Sequence, residues 1–200
     1  MAGETALRLV VALVMVGQTT ASAYFIRRAG ASASMLRSRQ AGPALTAALV
    51  ISYLAYGVGV VAFLIAPGSM AWSTADLSLG WRWAGALPLL AGGALFVRGL
   101  ADLGASLTIS PSTKEHHELV TEGSYGWIRH PVYSALFTQT LGVSLMTASW
   151  FVGLCGAGFC GLMAYRTAAE EENLVVEFGD RYREYQRNVG RFAPKIRRSH

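Results

Sequence analysis

Residues 132–165 read VYSALFTQTLGVSLMTASWFVGLCGAGFCGLMAY and contain no Asp, Glu, Lys or Arg. A transmembrane helix needs about 20 predominantly apolar residues, so this block is too long for one helix and short for two. Ser149 and Trp150 mark its middle. We therefore predict a tight hairpin of two membrane helices over this block.

The rest of the chain is also poor in charge. Of its 200 residues, 52% are hydrophobic and 14% are charged, whereas roughly 25% are charged in soluble globular chains. Between Arg39 and Arg98 the only charged residues are Asp76 and Arg82. Such long neutral blocks exclude a simple soluble enzyme, and the apolar composition excludes a disordered chain. The sequence predicts an all-α fold, a polytopic membrane bundle of about five transmembrane helices.

Three spans precede the hairpin, over residues 7–26, 45–66 and 81–100. Pro67-Gly68 closes the second span in a turn, and Pro88 predicts a kink in the third.

The first span has a competing interpretation as a signal peptide, because Ala21-Ser22-Ala23 resembles a cleavage site. The region before it holds Glu4 and Arg8 rather than a positive excess, which favours a retained helix.

Lys and Arg residues predict the orientation. With the amino terminus outside, Arg8 and Arg82 are the only basic residues on the external side, and the other 15 of the 17 fall in cytoplasmic regions. Cytoplasmic loops carry an excess of basic residues. We therefore predict an integral membrane protein with its N-terminus outside and its C-terminus cytoplasmic.

Apolar residues recur at three- and four-residue intervals in the charged tail, at Leu174, Phe178, Tyr182, Tyr185 and Val189. This pattern predicts an amphipathic C-terminal helix on a membrane or protein surface. We expect its basic end to lie near the anionic headgroups of membrane lipids.

Neither a metal nor a nucleic acid is indicated as a ligand. Cys155 and Cys160 lie in an apolar run without His or acids at ligand spacing, and His116-His117 alone is not a ligand pattern. The net charge of +5 follows the predicted topology rather than a nucleic-acid surface.

Polar residues return at three places on the predicted cytoplasmic side: KEHHE at 114–118, RHPVY at 129–133 and RTAAEEE at 166–172. Because a hairpin brings its two ends together, the second and third clusters should be neighbours. Polar groups at the mouth of an apolar bundle indicate a binding site. A solvated loop, a positively charged helix start and a charged membrane-surface face are the plainer interpretations, and residue types alone name no reaction.

These clusters resemble the motifs of a known protein family. HELVTEGSY at 117–125, followed by RHPVY at 129–133, resembles the signature of the isoprenylcysteine carboxyl methyltransferase family. The resemblance covers roughly residues 114–194 and is specific for integral membrane methyltransferases, but much less so for the substrate. After the hairpin the family pattern continues at matching spacing with Arg166, Glu170-Glu171, Phe178-Gly179, Tyr182, Tyr185, Val189 and Pro194.

The resemblance implies S-adenosylmethionine as the methyl donor, bound at the cytoplasmic face by the loop and tail. It also implies a lipophilic or prenylated acceptor that enters from the bilayer, with a carboxylate as the expected methylated group. The cofactor contacts of the family carry over to His117, Leu119, Val120, Gly123, Tyr125, His130, Pro131, Tyr133, Glu170 and Glu171.

Arg166 and Glu170 are the implied catalytic residues. The family's arginine lies beside the transferred methyl and orients the acceptor carboxylate, which suits its planar guanidinium. One feature departs from the family pattern, because the eukaryotic prenylcysteine enzymes carry a glutamate in the preceding helix where this chain reads ALFVR at 94–98. Asp102 is the nearest acid. The absence of this glutamate argues against prenylcysteine as the methyl acceptor.

Three other functions stay open at this point. They are N-methylation of a phospholipid or other amine, NADPH-dependent reduction of a sterol-type substrate, and a non-catalytic membrane interaction role. In every case we expect one membrane domain over residues 1–200. Residues 1–100 would form the first three spans, and residues 101–200 the cofactor loop, the hairpin and the C-terminal helix.

Overall fold

The computed structural model describes residues 2–28, 42–108 and 119–195, and this part of the chain is helical without a β-sheet. The predicted all-α class is confirmed. In chain order the elements are α1 (Ala2–Arg28), α2 (Pro43–Ile65), a 3-10 turn (Pro67–Ser73), α3 (Leu79–Ala84), α4 (Ala86–Thr108), a second 3-10 turn (Gly123–Gly126), α5 (Pro131–Thr147), α6 (Trp150–Phe178) and α7 (Asp180–Asn188).

Four helical segments within the described residues are long and apolar enough to cross a membrane: Gly3–Phe25, Pro43–Ile65, Leu79–Gly104 and Trp150–Phe178. Helix α5 has 17 residues and is about 26 Å long, somewhat shorter than a hydrocarbon core of about 30 Å. It packs against α3, α4 and α6.

The predicted span over 81–100 is interrupted rather than kinked at its proline. Helix α3 ends at Ala84 and α4 begins at Ala86, so Pro88 stands in the first turn of α4. A proline has no N–H to donate to the carbonyl four residues earlier, here that of Ala84, and its ring clashes with that carbonyl. The helix therefore breaks at Gly85, next to the carbonyl that Pro88 cannot hydrogen-bond.

The predicted hairpin is confirmed, with its turn at Ala148 and Ser149. Ala148 is left-handed with a φ of 49°, and the Ser149 hydroxyl accepts the N–H of Val152 at 3.3 Å, which caps α6. The hydroxyl oxygens of Ser149 and Ser73 lie 2.8 Å apart. The turn is thereby fixed to the segment that follows α2.

Helix α6 extends well beyond the predicted end of the hairpin, to Phe178. The apolar pattern predicted for the C-terminal helix is divided between two helices, because Leu174 and Phe178 belong to α6, Tyr182 and Tyr185 to α7, and Val189 to the C-terminal cap of α7. Ala and Glu dominate residues 167–172 and favour a helix. The first helix-breaking residue is Gly179, whose φ of +58° ends α6.

Helices α4 and α5 pack with their backbones nearly in contact. A Cβ on Gly142 would lie 2.7 Å from the carbonyl oxygen of Gly85, and one on Gly92 would lie 2.8 Å from that of Ala135. Gly85, just before α4, and Gly92 and Gly99 within it are spaced seven residues apart and so lie on one side of this segment. Such small residues let membrane helices approach closely, and here they bring the end of α4 beside the start of α5.

Helix α1 contributes Leu7 and Val11 to the hydrophobic core of the bundle. It also carries Glu4, whose carboxylate accepts hydrogen bonds from Arg82, and Arg82 donates to the carbonyl of Met146 at 3.0 and 3.1 Å. The guanidinium thus joins α1 to the C-terminal end of α5, where a cation is favourable. The buried core side chains are Leu7, Val11, Val60, Phe63, Met70, Leu89, Val143, Met146 and Val152.

We predict that Gly142→Ala destabilises the bundle, because the added methyl meets backbone atoms that cannot move away. Overpacking of this kind costs about 2 kcal/mol. Thermal unfolding of the protein in detergent measures the effect. Gly158→Ala is the matched control, since no atom of the described residues lies within 4 Å of its Cβ position. Equal unfolding temperatures for the two variants would contradict the close packing.

Candidate active site

A cavity of about 420 Å³ lies where the end of α4, residues 119–130, the start of α5, the end of α6 and α7 meet. Its volume is in the range of small-molecule sites. Of the residues predicted to bind the cofactor, those that line it are Leu119, Val120, Tyr125, His130, Tyr133 and Glu170. The two motifs separated by the hairpin therefore meet in one place.

Four of the predicted cofactor residues are not among those lining the cavity. Gly123 lies against the carboxylate of Asp102, and Pro131 is buried at the first position of α5. Glu171 is buried in an ion-pair cluster. His117 lies outside the described residues.

The first turn of α5 orients two rings on the cavity wall. His130 is the N-cap residue and Pro131 begins the helix, a position that suits proline. The rings of His130 and Tyr133 are stacked, with centroids 5.5 Å apart and an interplanar angle of 2°. The Tyr133 hydroxyl donates to a carboxylate oxygen of Glu170 at 3.0 Å. The position of Glu170 is thereby fixed from α5.

Glu171 is the centre of an ion-pair cluster at the junction of the hairpin and the tail. One of its oxygens accepts from Arg129 Nε at 2.8 Å and lies 3.2 Å from His130 Nε2. The other accepts from Arg191 Nε at 3.0 Å and from Gln186 at 3.3 Å. Its side chain is 3% exposed. Because both oxygens are occupied, Glu171 holds protein segments together.

Arg129 fastens the tail to the start of α5. Its backbone N–H donates to the carbonyl of Gly190 at 2.8 Å, and the N–H of His130 donates to that of Arg191 at 3.1 Å. The guanidinium of Arg129 also donates to the carbonyls of Gln186, at 3.2 Å, and Val189 at the end of α7. A cation there satisfies carbonyls left without partners within the helix.

Helix α7 closes the cavity with two tyrosines, Tyr182 and Tyr185, both buried. The Tyr185 hydroxyl donates to the backbone carbonyl of Tyr125 at 2.5 Å. Burial raises the pKa of Tyr185 to about 12 and also raises the pKa of Tyr125. Both phenols therefore stay protonated at physiological pH, and Tyr185 remains a donor.

A second cavity, of about 660 Å³, lies between the start of α2 and the C-terminal half of α6. Arg166 lines it together with Glu170, Glu172 and Tyr165. The Nε of Arg166 is buried and has no hydrogen-bond partner among the described residues. Glu170 lines both cavities and stands between them.

Asp102, the acid nearest to the position of the absent glutamate, forms its hydrogen bonds with residues other than Arg166. Its carboxylate accepts the N–H of Ser124 at 2.7 Å and Nε of Arg98 at 3.0 Å.

More than half of the cavity wall was not predicted from the sequence. Leu174, Phe178, Tyr182 and Tyr185 carried a signal, since they recur at helical intervals, but that signal was attributed to a membrane or protein surface. Leu100 and Leu103 gave none, because every face of an apolar helix looks alike in sequence. The missed apolar and aromatic residues are Leu100, Leu103, Val132, Leu174, Phe178, Tyr182 and Tyr185.

We predict that Glu171→Gln lowers the free energy of unfolding by about 3 kcal/mol, because it leaves a buried guanidinium without its counter-charge. The matched control is Glu172→Gln, which changes the adjacent but exposed carboxylate. Thermal unfolding in detergent and trypsin cleavage of the tail measure the effect. The cluster would have no structural role if both variants unfolded alike.

The chain was compared with known proteins. The model of the isoprenylcysteine carboxyl methyltransferase (ICMT) family matches residues 84–176, which run from the end of α3 through the hairpin to the end of α6. A solved structure of the eukaryotic intramembrane Ras methyltransferase ICMT matches 94% of this chain and 68% of that one, with 21% identity and a TM-score of 0.48.

Individual relatives match over different lengths. Protein-S-isoprenylcysteine O-methyltransferase of Homo sapiens is 34% identical over 85 residues, which are 40% of this chain but 29% of the human protein. Methanethiol S-methyltransferase of Pseudomonas deceptionensis is 35% identical over 75 residues, 38% of this chain and 28% of that one. The match thus spans less than a third of these relatives.

Protein-S-isoprenylcysteine O-methyltransferase B of Arabidopsis thaliana is 30% identical over 171 residues, which cover 84% of this chain and 82% of that protein. The likeness therefore runs through most of both chains, and the family model spans both motifs around the hairpin. With its long apolar helices, this chain is an integral membrane protein that belongs to the isoprenylcysteine carboxyl methyltransferase family.

Proposed function

We propose that this chain is a methyltransferase that transfers a methyl group from S-adenosylmethionine to a lipophilic acceptor, with a carboxylate as the methylated group. The observation that carries the proposal is the pair of cavities that share Glu170. One is walled by aromatic and aliphatic side chains, and the other holds a guanidinium whose Nε has no hydrogen-bond partner within the part of the chain that the structure describes.

The first cavity fits the methyl donor. S-adenosylmethionine has an apolar adenine face, a ribose diol and a charged amino-acid end, and such a ligand needs apolar walls with a few directed polar groups. Leu119, Val120 and Tyr125 would hold it on the loop side, with His130 and Tyr133 at the start of α5. Glu170, its orientation fixed by Tyr133, would accept hydrogen bonds from a hydroxyl or the ammonium group.

The second cavity suits an anionic acceptor. The planar fork of a guanidinium binds a carboxylate in a defined pose and stays charged at all relevant pH values. Exposed residues of α2 and α6 form part of the wall, among them Ala44 and Tyr165. A lipophilic molecule could therefore enter sideways from the bilayer. A protonated amine would meet the charge of Arg166, which disfavours a cationic phospholipid headgroup as the acceptor.

No residue of this chain has to remove a proton from the acceptor, since a carboxylate is ionised at pH 7. When bound, S-adenosylmethionine supplies an electrophilic methyl group on a sulfonium. Arg166 orients the acceptor, Glu170 fixes the donor side, and the apolar walls exclude water. The rate enhancement then comes mainly from proximity and alignment.

A thiolate is the second candidate acceptor. The observation in its favour is the likeness to methanethiol S-methyltransferase of Pseudomonas deceptionensis. The site would again stabilise an anion through Arg166, but a small thiol would need no lateral entry. Assays with a long-chain carboxylate and with a small thiol separate the two acceptors.

We include α5 as a fifth span in the proposal, since it runs back through the bundle between α4 and α6. An odd number of spans places the two termini on opposite sides. The excess of Lys and Arg at one end then puts the C-terminus and both cavities on the cytoplasmic side.

We expect the detergent-purified protein to bind S-adenosylmethionine and not NADPH. Isothermal titration calorimetry with each ligand measures this directly. Binding of NADPH alone would favour the sterol-type reductase, and binding of neither would overturn the proposal in favour of a non-catalytic role.

Variants of the two catalytic candidates should behave differently. We expect Arg166→Ala to lower kcat about a hundredfold through loss of acceptor alignment, with the donor Kd unchanged. Glu170→Ala should raise the donor Kd about tenfold, since a hydrogen bond to a charged group is lost. Methyl incorporation from radiolabelled donor into lipid extracts gives the rates, and calorimetry gives the Kd. Arg181→Ala, on the exposed face of α7, is the control. Loss of donor binding in the Arg166 variant would mean that the roles are wrongly assigned.

A further inference from the structure

The second 3-10 turn (Gly123–Gly126) forms part of the loop wall of the first cavity and is bonded to α4 by one side chain. The carboxylate of Asp102 accepts the backbone N–H of Ser124 at 2.7 Å. Its side chain is 14% exposed. Because an ionised acceptor strengthens an N–H hydrogen bond and partial burial shields it from water, this contact is a strong local restraint.

The backbone of the turn is shaped around the same carboxylate. Gly123 has a φ of +60°, and a Cβ there would lie 2.5 Å from Asp102 Oδ2 and 2.6 Å from its Cγ. A side chain is therefore excluded both by the left-handed conformation and by the lack of space. This observation is independent of the Ser124 bond and indicates the same close approach.

The turn is also restrained from the opposite side. The hydroxyl of Tyr185 on α7 donates to the carbonyl of Tyr125, the residue after Ser124. Tyr125 and Tyr185 both line the first cavity, as does Leu103, which follows Asp102 in α4. The turn is thus held between α4 and α7 on one side of the cavity.

We propose that Asp102 is a positioning residue, which latches the turn over residues 123–126 to α4 and so closes the cavity that takes the methyl donor. The identity of the donor rests on the proposed function, whereas the latch itself does not. The competing role is that of an acid partner for Arg166, in place of the absent glutamate. The contacts of Asp102 do not favour it, since they run to Ser124 and Arg98.

The latch can be tested without any ligand, by hydrogen–deuterium exchange of residues 119–128 in detergent. We expect Asp102→Ala to speed exchange at the Ser124 amide about tenfold, because the amide loses its acceptor. Asp102→Asn should restore most of the protection, since its side-chain oxygen can still accept that N–H. Gly123→Ala, which displaces the turn by a different route, should resemble Asp102→Ala. Unchanged exchange in both alanine variants would overturn the proposal.

Two controls isolate the latch. Asp76→Asn changes an exposed acid near the hairpin turn and should leave exchange over residues 119–128 as it is. Arg98→Gln removes an i,i+4 pair whose guanidinium is 67% exposed, and it should alter exchange less than about twofold. A tenfold effect of Arg98→Gln would show that the ion pair rather than the Ser124 bond holds the turn, against the proposal.

Donor affinity and turnover separate the latch from the competing role. For Asp102→Ala we expect the Kd and KM for S-adenosylmethionine to rise about tenfold, with kcat within about twofold at saturating donor. Asp102→Asn should stay near the wild-type values. If Asp102 were the acid partner of Arg166, Asp102→Asn would lose kcat as severely as the alanine variant with the Kd unchanged, which would overturn the latch. Failure of the wild-type protein to bind the donor would count against the proposed function alone, and the exchange results would still decide on the latch.

Discussion

The buried carboxylate of Glu171 is the interaction on which the arrangement of the site depends. It lies on α6 at the end of the hairpin and is bonded by Arg129, His130 and Arg191, which come from the loop end, the start of α5 and the tail. Taking several charges out of water is costly unless each finds a partner, so these segments have few alternative ways to meet. Glu171 fixes the geometry of the site, since the same contacts hold α7 over the first cavity and keep Glu170 beside Tyr133.

The glycine-lined contact between α4 and α5 sets the frame in which that cluster forms. Because Gly85 and Gly92 bring the two backbones nearly together, the end of α4 stands beside the start of α5. Dispersion and close fit are the main forces available there, since lipid is as apolar as the helices. Asp102 and His130 thereby come to the same end of the bundle, and residues 119–129 border the first cavity there.

Under the proposed function, the two cavities keep apart the two substrates of a methyl transfer to a lipophilic acceptor. A charged, water-soluble donor and an apolar acceptor must meet although they come from different solvents. In this fold Glu170 stands between a cavity enclosed by the loop and α7 and another bordered by exposed residues of α2 and α6. The hairpin makes this possible, because it returns the chain to the membrane surface where polar side chains can be solvated or paired.

The sequence by itself determined the helical membrane class, the positions of the apolar segments, the turn at Ser149 and the motifs on either side of the hairpin. These follow from hydropathy and spacing, which are local properties. The tertiary structure decided where the third span breaks, how far α6 extends, and which polar residues bind each other. Glu170 and Glu171 look equivalent in sequence. Glu170 nevertheless faces the cavities, whereas Glu171 forms ion pairs with Arg129 and Arg191. A helix turns by about 100° per residue, so neighbouring acids point in different directions, and only the packing of α5, α6 and the tail determines what each of them meets.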